Sequence, residues 1–237
     1  MNMEFIESPI KYVGGKYKLL NQIIPLFPED INRFVDLFCG SGVVGANMMG
    51  RAKEVICIDK DVNIIQLLYH IAKYKAFFLE QVERVIANYG LSNSYRFGLD
   101  KYKQVTGYGG AGKALSAYNK EAYKVVRKDF NFHNATSLFY VLNLYGYTGA
   151  GRYNSRSKHN ISVGNSDLNI KVVKRYRKYC EYINKSKSPA SYVAVISGNI
   201  TYTMMILFMQ TLHTYKQQQA TIITGQKKTL SRYLLNY

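Results

Sequence analysis

The sequence predicts an α/β fold: a Rossmann-like parallel core interrupted by a long, mostly helical insertion. Three observations carry that prediction. An apolar run, Phe34-Val35, continues through Asp36-Leu37-Phe38-Cys39 into Gly40-Ser41-Gly42 and then into a helical Val43-Val44-Gly45-Ala46-Asn47. A second apolar run, Glu54-Val55-Ile56-Cys57-Ile58, ends on Asp59. From about residue 70 to residue 190 the pattern turns helical, basic and glycine-punctuated, and an apolar strand pattern resumes over residues 191–197. Alternating strand and helix periods of this kind imply a parallel sheet. The expected division is 1–69 for the first part of the core, 70–190 for the insertion, and 191–237 for the return to the core and the tail.

Taken in order, residues 9–20 hold a turn at Gly14-Gly15, and residues 16–24 carry helical apolar spacing. Lys16 at that helix start suits either an anion or plain solvent. The glycines after the first strand allow a sharp turn and close approach of a nucleoside-like ligand to the main chain. Asp59, seventeen residues after Gly42, is placed to accept hydrogen bonds from ribose hydroxyls. Gly40-x-Gly42-x-x-Gly45 alone does not choose among nucleoside cofactors. A helix follows over about 63–89. Residues 92–119 are rich in Ser, Gly, Tyr and Lys, and Gly107 to Lys113 lacks the spacing and preceding strand of a phosphate loop, so a mobile loop is expected. Helices are expected over 119–131, 136–145 and 171–185. In the last, Tyr176, Tyr179 and Tyr182 interleave with basic residues, which suits stacking on bases or packing on a core.

Composition narrows the partners. The 237 residues carry a formal charge of +17 and a pI near 9.6, which points to a polyanion, most commonly nucleic acid. Residues 152–187 alone hold ten Lys or Arg against Asp167 and Glu181. Cys39, Cys57 and Cys180 are scattered without metal spacing, so buried thiols in a reducing compartment are expected and no metal site is. No signal-peptide core or membrane-length apolar run is present, giving an expectation of a soluble, cytoplasmic protein in a bacterial or phage-infected cell.

Pro9-Ile10-Lys11-Tyr12-Val13-Gly14-Gly15-Lys16, then Asp36-Leu37-Phe38-Cys39-Gly40-Ser41-Gly42, then the basic aromatic block together resemble the Dam-type DNA adenine methyltransferases over roughly residues 9–200. The resemblance implies an S-adenosyl-L-methionine-dependent core with an inserted, mostly helical DNA-recognition region. It implies that Lys11, Tyr12, Gly14, Gly15 and Lys16 help hold S-adenosyl-L-methionine. Asp36, Phe38, Gly40 and Gly42 would wrap its methionine part, and Asp59 its ribose. The segment Tyr145 to Asn154 is similar to the family's DNA-reading loop. There Tyr147 would probe or enter the duplex and Arg152 would contact a guanine edge. Thr148, Asn154, Arg156 and Lys158 complete the implied interface with double-stranded DNA. The sequence departs from the family at Thr148, Ser157, His159 and Ser162, and Asn199 stands where the family has Asp.

The larger departure is chemical. Such enzymes flip an adenine out of the duplex and use an Asp-Pro-Pro-Tyr motif to accept the amine hydrogens and stack on the base. That motif is absent, and its expected place falls at Thr211, Leu212, His213 and Thr214. Codons begun one nucleotide earlier across Thr203 to Tyr215 force Asp-Asp and Ala and permit Tyr-Asp-Asp-Phe-Val-Tyr-Ala-Asp-Pro-Pro-Tyr-Leu. Thr224 to Thr229 likewise permit Trp-Thr-Glu-Lys-Asp. The expectation is a one-nucleotide slip just before Thr203, with little methyl transfer by the chain as spelled and a tail lacking later core strands. The alternatives are a non-catalytic remnant that binds DNA and S-adenosyl-L-methionine, and, disfavoured by the Lys11–Lys16 motif and the charge, an NAD-dependent dehydrogenase. A monomer is favoured.

Overall fold

The structure is a computed structural model and describes residues 4–108, 113–149, 151–186, 188–194 and 220–223. The chain divides into two compact units. One comprises residues 1–6, 15–65 and 182–237; the other comprises residues 7–14 and 66–181.

The first unit is built on a parallel sheet of β1 (Ile31–Asp36), β2 (Ala52–Asp59), β3 (Ala190–Ala194) and β4 (Ala220–Ile223), in the order β3-β2-β1-β4. Val35 pairs with Ile56 and Asp36 with Cys57. Ile58 pairs with Val193, and Val35 on its other edge pairs with Ile222. Parallel sheets bury their strands, which explains the near-continuous apolar spelling of β1 and β2. Phe34, Val35, Val55, Cys57 and Ile58 are all buried. The tail was expected to lack further core strands; instead Ala220–Ile223 lies beside β1, a β-branched run suited to a pleated ladder. Residues 195–197 of the expected third strand, Asn199, residues 203–215 and residues 224–229 lie outside the described residues.

The expected helix over 16–24 is a broken one. A 3-10 turn (Tyr17–Leu19), a single α turn α1 (Leu20–Ile23) and a second 3-10 turn (Ile24–Leu26) follow one another. Pro25 supplies no N–H, so the α ladder cannot run on. Helix α2 (Val43–Met48) is buried along its whole length. Its Asn47 accepts the Ile6 N–H at 2.8 Å and donates to the Ile6 carbonyl at 2.9 Å, which pins the N-terminal segment.

Helix α3 (Val62–Asn88) begins in the first unit and continues into the second, with a non-helical break at Lys75. The second unit then adds α4 (Ser94–Phe97), α5 (Leu99–Thr106), α6 (Ala114–His133), α7 (Thr136–Tyr145) and most of α8 (Ile170–Lys185), whose residues 182–185 fall in the first unit. The loop expected over 92–119 is corrected in part, because α4, α5 and the first turn of α6 fall within it; residues 109–112 lie outside the described residues. Composition misled there: Asn93 caps α4 by accepting from Arg96 N, so a Ser- and Gly-rich spelling marked caps rather than a loop.

Tyrosine dominates this second core. Tyr102, Tyr123, Tyr140, Tyr145, Tyr176 and Tyr179 are fully buried. Buried tyrosine needs a partner for its hydroxyl, and most of these find backbone. Tyr140 donates to Pro9 O at 3.2 Å, and Tyr102 accepts from Asn93 N at 2.7 Å. Tyr176 donates at 2.8 Å to the carbonyl of Lys75, at the break in α3. Tyr176 and Tyr179 are therefore core residues, not base-stacking ones.

Candidate functional site

In the first unit, β1 and β2 end side by side on two buried carboxyls, Asp36 and Asp59. The segment between β1 and α2 folds back over them. Cys39 N donates to Ile58 O at 2.9 Å and Gly42 N to Cys39 O at 2.7 Å. Gly40 N donates to Asp59 Oδ2 at 2.8 Å, and Asp61 N to Asp59 Oδ1 at 3.0 Å. Gly40 and Gly42 both have positive φ, 48° and 68°, a region that side-chain-bearing residues rarely enter. Gly45 is required for a different reason: a Cβ there would lie 2.4 Å from Cys57 Sγ, so only glycine lets α2 pack this closely on β2.

Asp36 is the electrostatic centre of this cradle. Its Oδ2 accepts from Gly45 N at 3.3 Å. Burial away from water pushes its carboxyl up to about 7, the Gly45 N–H partly offsets that, and the Asp59 charge raises it further. A buried carboxyl in this state gains most from a cation arriving beside it. Each Asp59 oxygen, with two lone pairs, keeps room for a further donor after its backbone bond. Phe38 is 52% exposed at the turn, and Gly15 and Lys16 are exposed. Lys16 precedes only a three-residue 3-10 turn, which is no anion-binding helix start.

Lys11, Tyr12 and Gly14 belong to the second unit. Lys11 turns inward. Its ammonium donates to Gly146 O at 2.9 Å, Ser166 Oγ at 3.1 Å and Leu144 O at 3.2 Å. Its own N–H and carbonyl are held by Asn143 at 3.0 and 2.8 Å. Burial, helped by the Arg175 charge, holds the Lys11 ammonium below its ordinary value. Tyr12 is half-buried and Gly14 exposed with φ of 77°.

Two short antiparallel pairings follow α7. Residues 145–147 run against 162–164: Tyr147 N donates to Ser162 O at 3.0 Å and Gly164 N to Tyr145 O at 2.7 Å. A hairpin is closed by the Tyr153–His159 bridge, with Asn160 N to Arg152 O at 3.0 Å and Asn154 N to Lys158 O at 2.9 Å. Tyr147 is 78% exposed, and Thr148, Arg152, Asn154, Arg156 and Lys158 are exposed as well. Asn154 Oδ1 is already used, accepting from Arg156 N and Lys158 N at 3.0 Å each. Lys158 Nζ donates to Asn131 O at 2.6 Å. The hairpin rests on α6: Arg127 donates to Ile161 O at 3.0 Å, and Asn131 brackets the backbone of His159 at 2.7 and 3.1 Å. His159 itself is buried, with Nδ1 unpartnered.

Sequence reasoning missed Asn47, Asn131 and Asn143. Each grips both backbone groups of a distant residue, a signal that no local pattern carries. The motif expected at Thr211 to Thr214 lies outside the described residues. Among the described residues no cluster of His, Cys, Asp and Glu could hold a metal ion, and no helix is long and apolar enough to cross a membrane.

A glycine turn over paired carboxyls at the carboxyl ends of parallel strands defines the class: a Rossmann-like α/β fold. Comparison with known sequences narrows it. The profile of the D12 class N6 adenine-specific DNA methyltransferases matches residues 12–196, and the chain belongs to that family. It is 33% identical over 162 residues to modification methylase StsI of Streptococcus sanguinis, covering 68% of this chain and 21% of that protein. It is 33% identical over 161 residues to type II methyltransferase M.FokI of Planomicrobium okeanokoites, covering 68% and 21%. A DNA adenine methylase of Haemophilus influenzae is 23% identical over 159 residues, covering 65% and 46%. The chain thus spans about a fifth of the length of the first two relatives.

Proposed function

We propose that the chain carries the cofactor- and DNA-binding machinery of a site-specific adenine-N6 methyltransferase, with S-adenosyl-L-methionine as methyl donor and double-stranded DNA as substrate. One observation supports this most: the family match over residues 12–196 encloses both the Asp36–Gly42 cradle and the Tyr147–Lys158 segment.

The cradle fits the cofactor chemically. Asp36, a carboxyl raised by burial, suits the ammonium of the methionine moiety, with the Gly40–Gly42 backbone beside it, and Asp59 suits the ribose hydroxyls. When bound, S-adenosyl-L-methionine supplies a methyl group activated by its sulfonium. In the second unit, Tyr147 enters the duplex, Arg152 reads a base edge, and Arg156 and Thr148 contact the backbone. Lys11 acts from beneath this segment as a support rather than as a cofactor ligand, which its three acceptors favour.

Methyl transfer to the exocyclic amine also needs an acceptor for its hydrogens, the part that Asp-Pro-Pro-Tyr supplies in the family. The present reading frame spells Thr211-Leu212-His213-Thr214 instead. We attribute this to a one-nucleotide slip just before Thr203, a placement in keeping with a family match that runs to residue 196. The chain as spelled is then expected to bind both ligands and transfer little or no methyl. Resequencing the gene, followed by labelled methyl transfer to unmethylated DNA with the original and frame-restored chains, tests the reading. Robust transfer by the chain as spelled overturns the slip. A thermal shift with NAD but none with S-adenosyl-L-methionine overturns the cofactor assignment.

A further inference from the structure

Helix α6 does two things at once. Its last turns carry the hairpin, through Arg127 to Ile161 O, Asn131 to His159, and Lys158 to Asn131 O. Its exposed surface carries Lys120, Lys124 and Lys128, with Lys113 at the N-cap. At 3.6 residues per turn, Arg127 and Asn131 fall on the same sector of the helix, roughly 100° wide, as Lys120, Lys124 and Lys128. The lysines therefore continue, toward the N-terminus of α6, the surface on which the hairpin sits. They rise about 6 Å per step and about 12 Å in all.

The charges around this row leave it strongly positive. Lys124 pairs with Glu121 at 2.8 Å, while Lys120 and Lys128 have no ion-pair partner among the described residues. Asp129, the other acid of the helix, projects roughly 100° around the helix from Lys128, off the row, and accepts from the Tyr89 hydroxyl at 2.7 Å. Glu121 is the acid beside the row and its charge reaches Lys120 as well as Lys124, so three lysines against one glutamate leave the face net positive. The row also lies against none of the tyrosine core, since Tyr123, Val126 and Phe130 point away from it and are buried.

We infer that the Lys120–Lys124–Lys128 face of α6 is a phosphate-binding track that holds the duplex flanking the target, continuous with the hairpin that reads it. The partner is duplex DNA backbone, without base specificity. About 12 Å of track spans three to four phosphates of one strand at 3.4 Å per base pair. The inference rests on the DNA-binding reading above and adds a second, sequence-independent contact to it.

Fluorescence anisotropy with the full chain and a 30-base-pair duplex, over a salt series, tests it. Replacing all three lysines by glutamine should flatten the slope of log K against log salt by about 2 to 3, at roughly 0.9 for each phosphate no longer neutralised. Affinity at 0.15 M salt should fall about ten- to a hundredfold. The corresponding triple arginine variant should keep both slope and affinity. Thermal unfolding of the glutamine variant should match the unaltered chain, because all three side chains are exposed. An unchanged slope in the glutamine variant, with DNA binding intact, overturns the track alone. No binding by the unaltered chain overturns the DNA-binding reading and the track with it.

Discussion

The side chain of Asn143 accepts the Lys11 N–H at 3.0 Å and donates to the Lys11 carbonyl at 2.8 Å, so one amide serves as the strand partner of one residue 132 positions away. The same Nδ2 also reaches the carbonyl of Gly149. Gly149 has φ of 72°, and a Cβ there would lie 2.3 Å from Lys11 Cβ. Asn143, Lys11 and Gly149 thus lock the base of the Tyr147 segment.

Asn143→Leu should lower stability by about 2–4 kcal/mol, because it leaves the Lys11 backbone groups buried without partners. Urea unfolding measures the loss. Asn143→Asp keeps the acceptor and should fall between the leucine variant and the unaltered chain. A loss below about 0.5 kcal/mol for leucine would mean the clamp holds nothing that water cannot replace.

The two units should respond to pH in opposite directions. His159 sits in the second unit among Phe130, Phe139 and Tyr153. Burial, with a smaller push from Arg127, lowers it to about 4. The unfolded chain then binds the proton first as pH falls, so stability drops between roughly pH 6.5 and 4, by about 3 kcal/mol. Asp36, in the first unit, is raised to about 7. There the folded state holds the proton longer, so stability drops as pH climbs from about 4 to about 7, by roughly 4 kcal/mol. His159→Phe should remove the acid loss and Asp36→Asn the opposite one. Hydrogen exchange at pH 4.5 and 7.5 reads each unit separately.

The same Asp36 proton predicts a linkage on binding. S-adenosyl-L-methionine, whose ammonium would sit against the carboxylate, should expel about half a proton per site at pH 7, where Asp36 is half-protonated, and close to one near pH 6. Calorimetry in two buffers of different ionisation heat counts it. Asp36→Asn should bind at least tenfold more weakly and release none.

Gly45→Ala should destabilise the first unit by about 1–3 kcal/mol through overpacking, since its methyl would overlap the Cys57 sulfur. Cys57→Ala clears that space. The double variant should therefore be less damaged than the sum of the two singles, a coupling that a double-mutant cycle measures directly. Additive losses would show that backbone, not Cys57, limits the site.

Tyr147→Ala should leave thermal stability unchanged, because the ring is largely in solvent. DNA affinity should fall by roughly 1–3 kcal/mol, the worth of one stacked aromatic. Anisotropy at fixed salt gives the result.

Much of this was readable from the sequence, for a physical reason: strand period, helix period and glycine turns are local. Phe34 to Gly45, Ile56 to Asp59 and the helix Thr136–Tyr145 declare themselves within a few residues. The tyrosines of α8 did not, since Tyr176 and Tyr179 have the same spacing whether they face a core or a base. The motif around Lys11 is contiguous with Gly14 and Lys16, but the acceptors of its ammonium come from residues 144, 146 and 166, which no local pattern connects to it. Asparagine clamps are the least legible of all. Nothing near Asn47, Asn131 or Asn143 says which backbone each will grip, and the grip decides where the 152–160 hairpin and the segments at Ile6 and Lys11 go.

Those clamps also close loops of very different length. Ile6 finds Asn47 across 41 residues, but Lys11 must wait for Asn143 across 132. Closing the longer loop costs about 4 kcal/mol of chain entropy. At about 5–20 residues per second, the ribosome takes on the order of 10 s to deliver the partner. The Lys11 segment is thus made well before its clamp, and its backbone groups stay open to a chaperone or another nascent chain until α7 has been made.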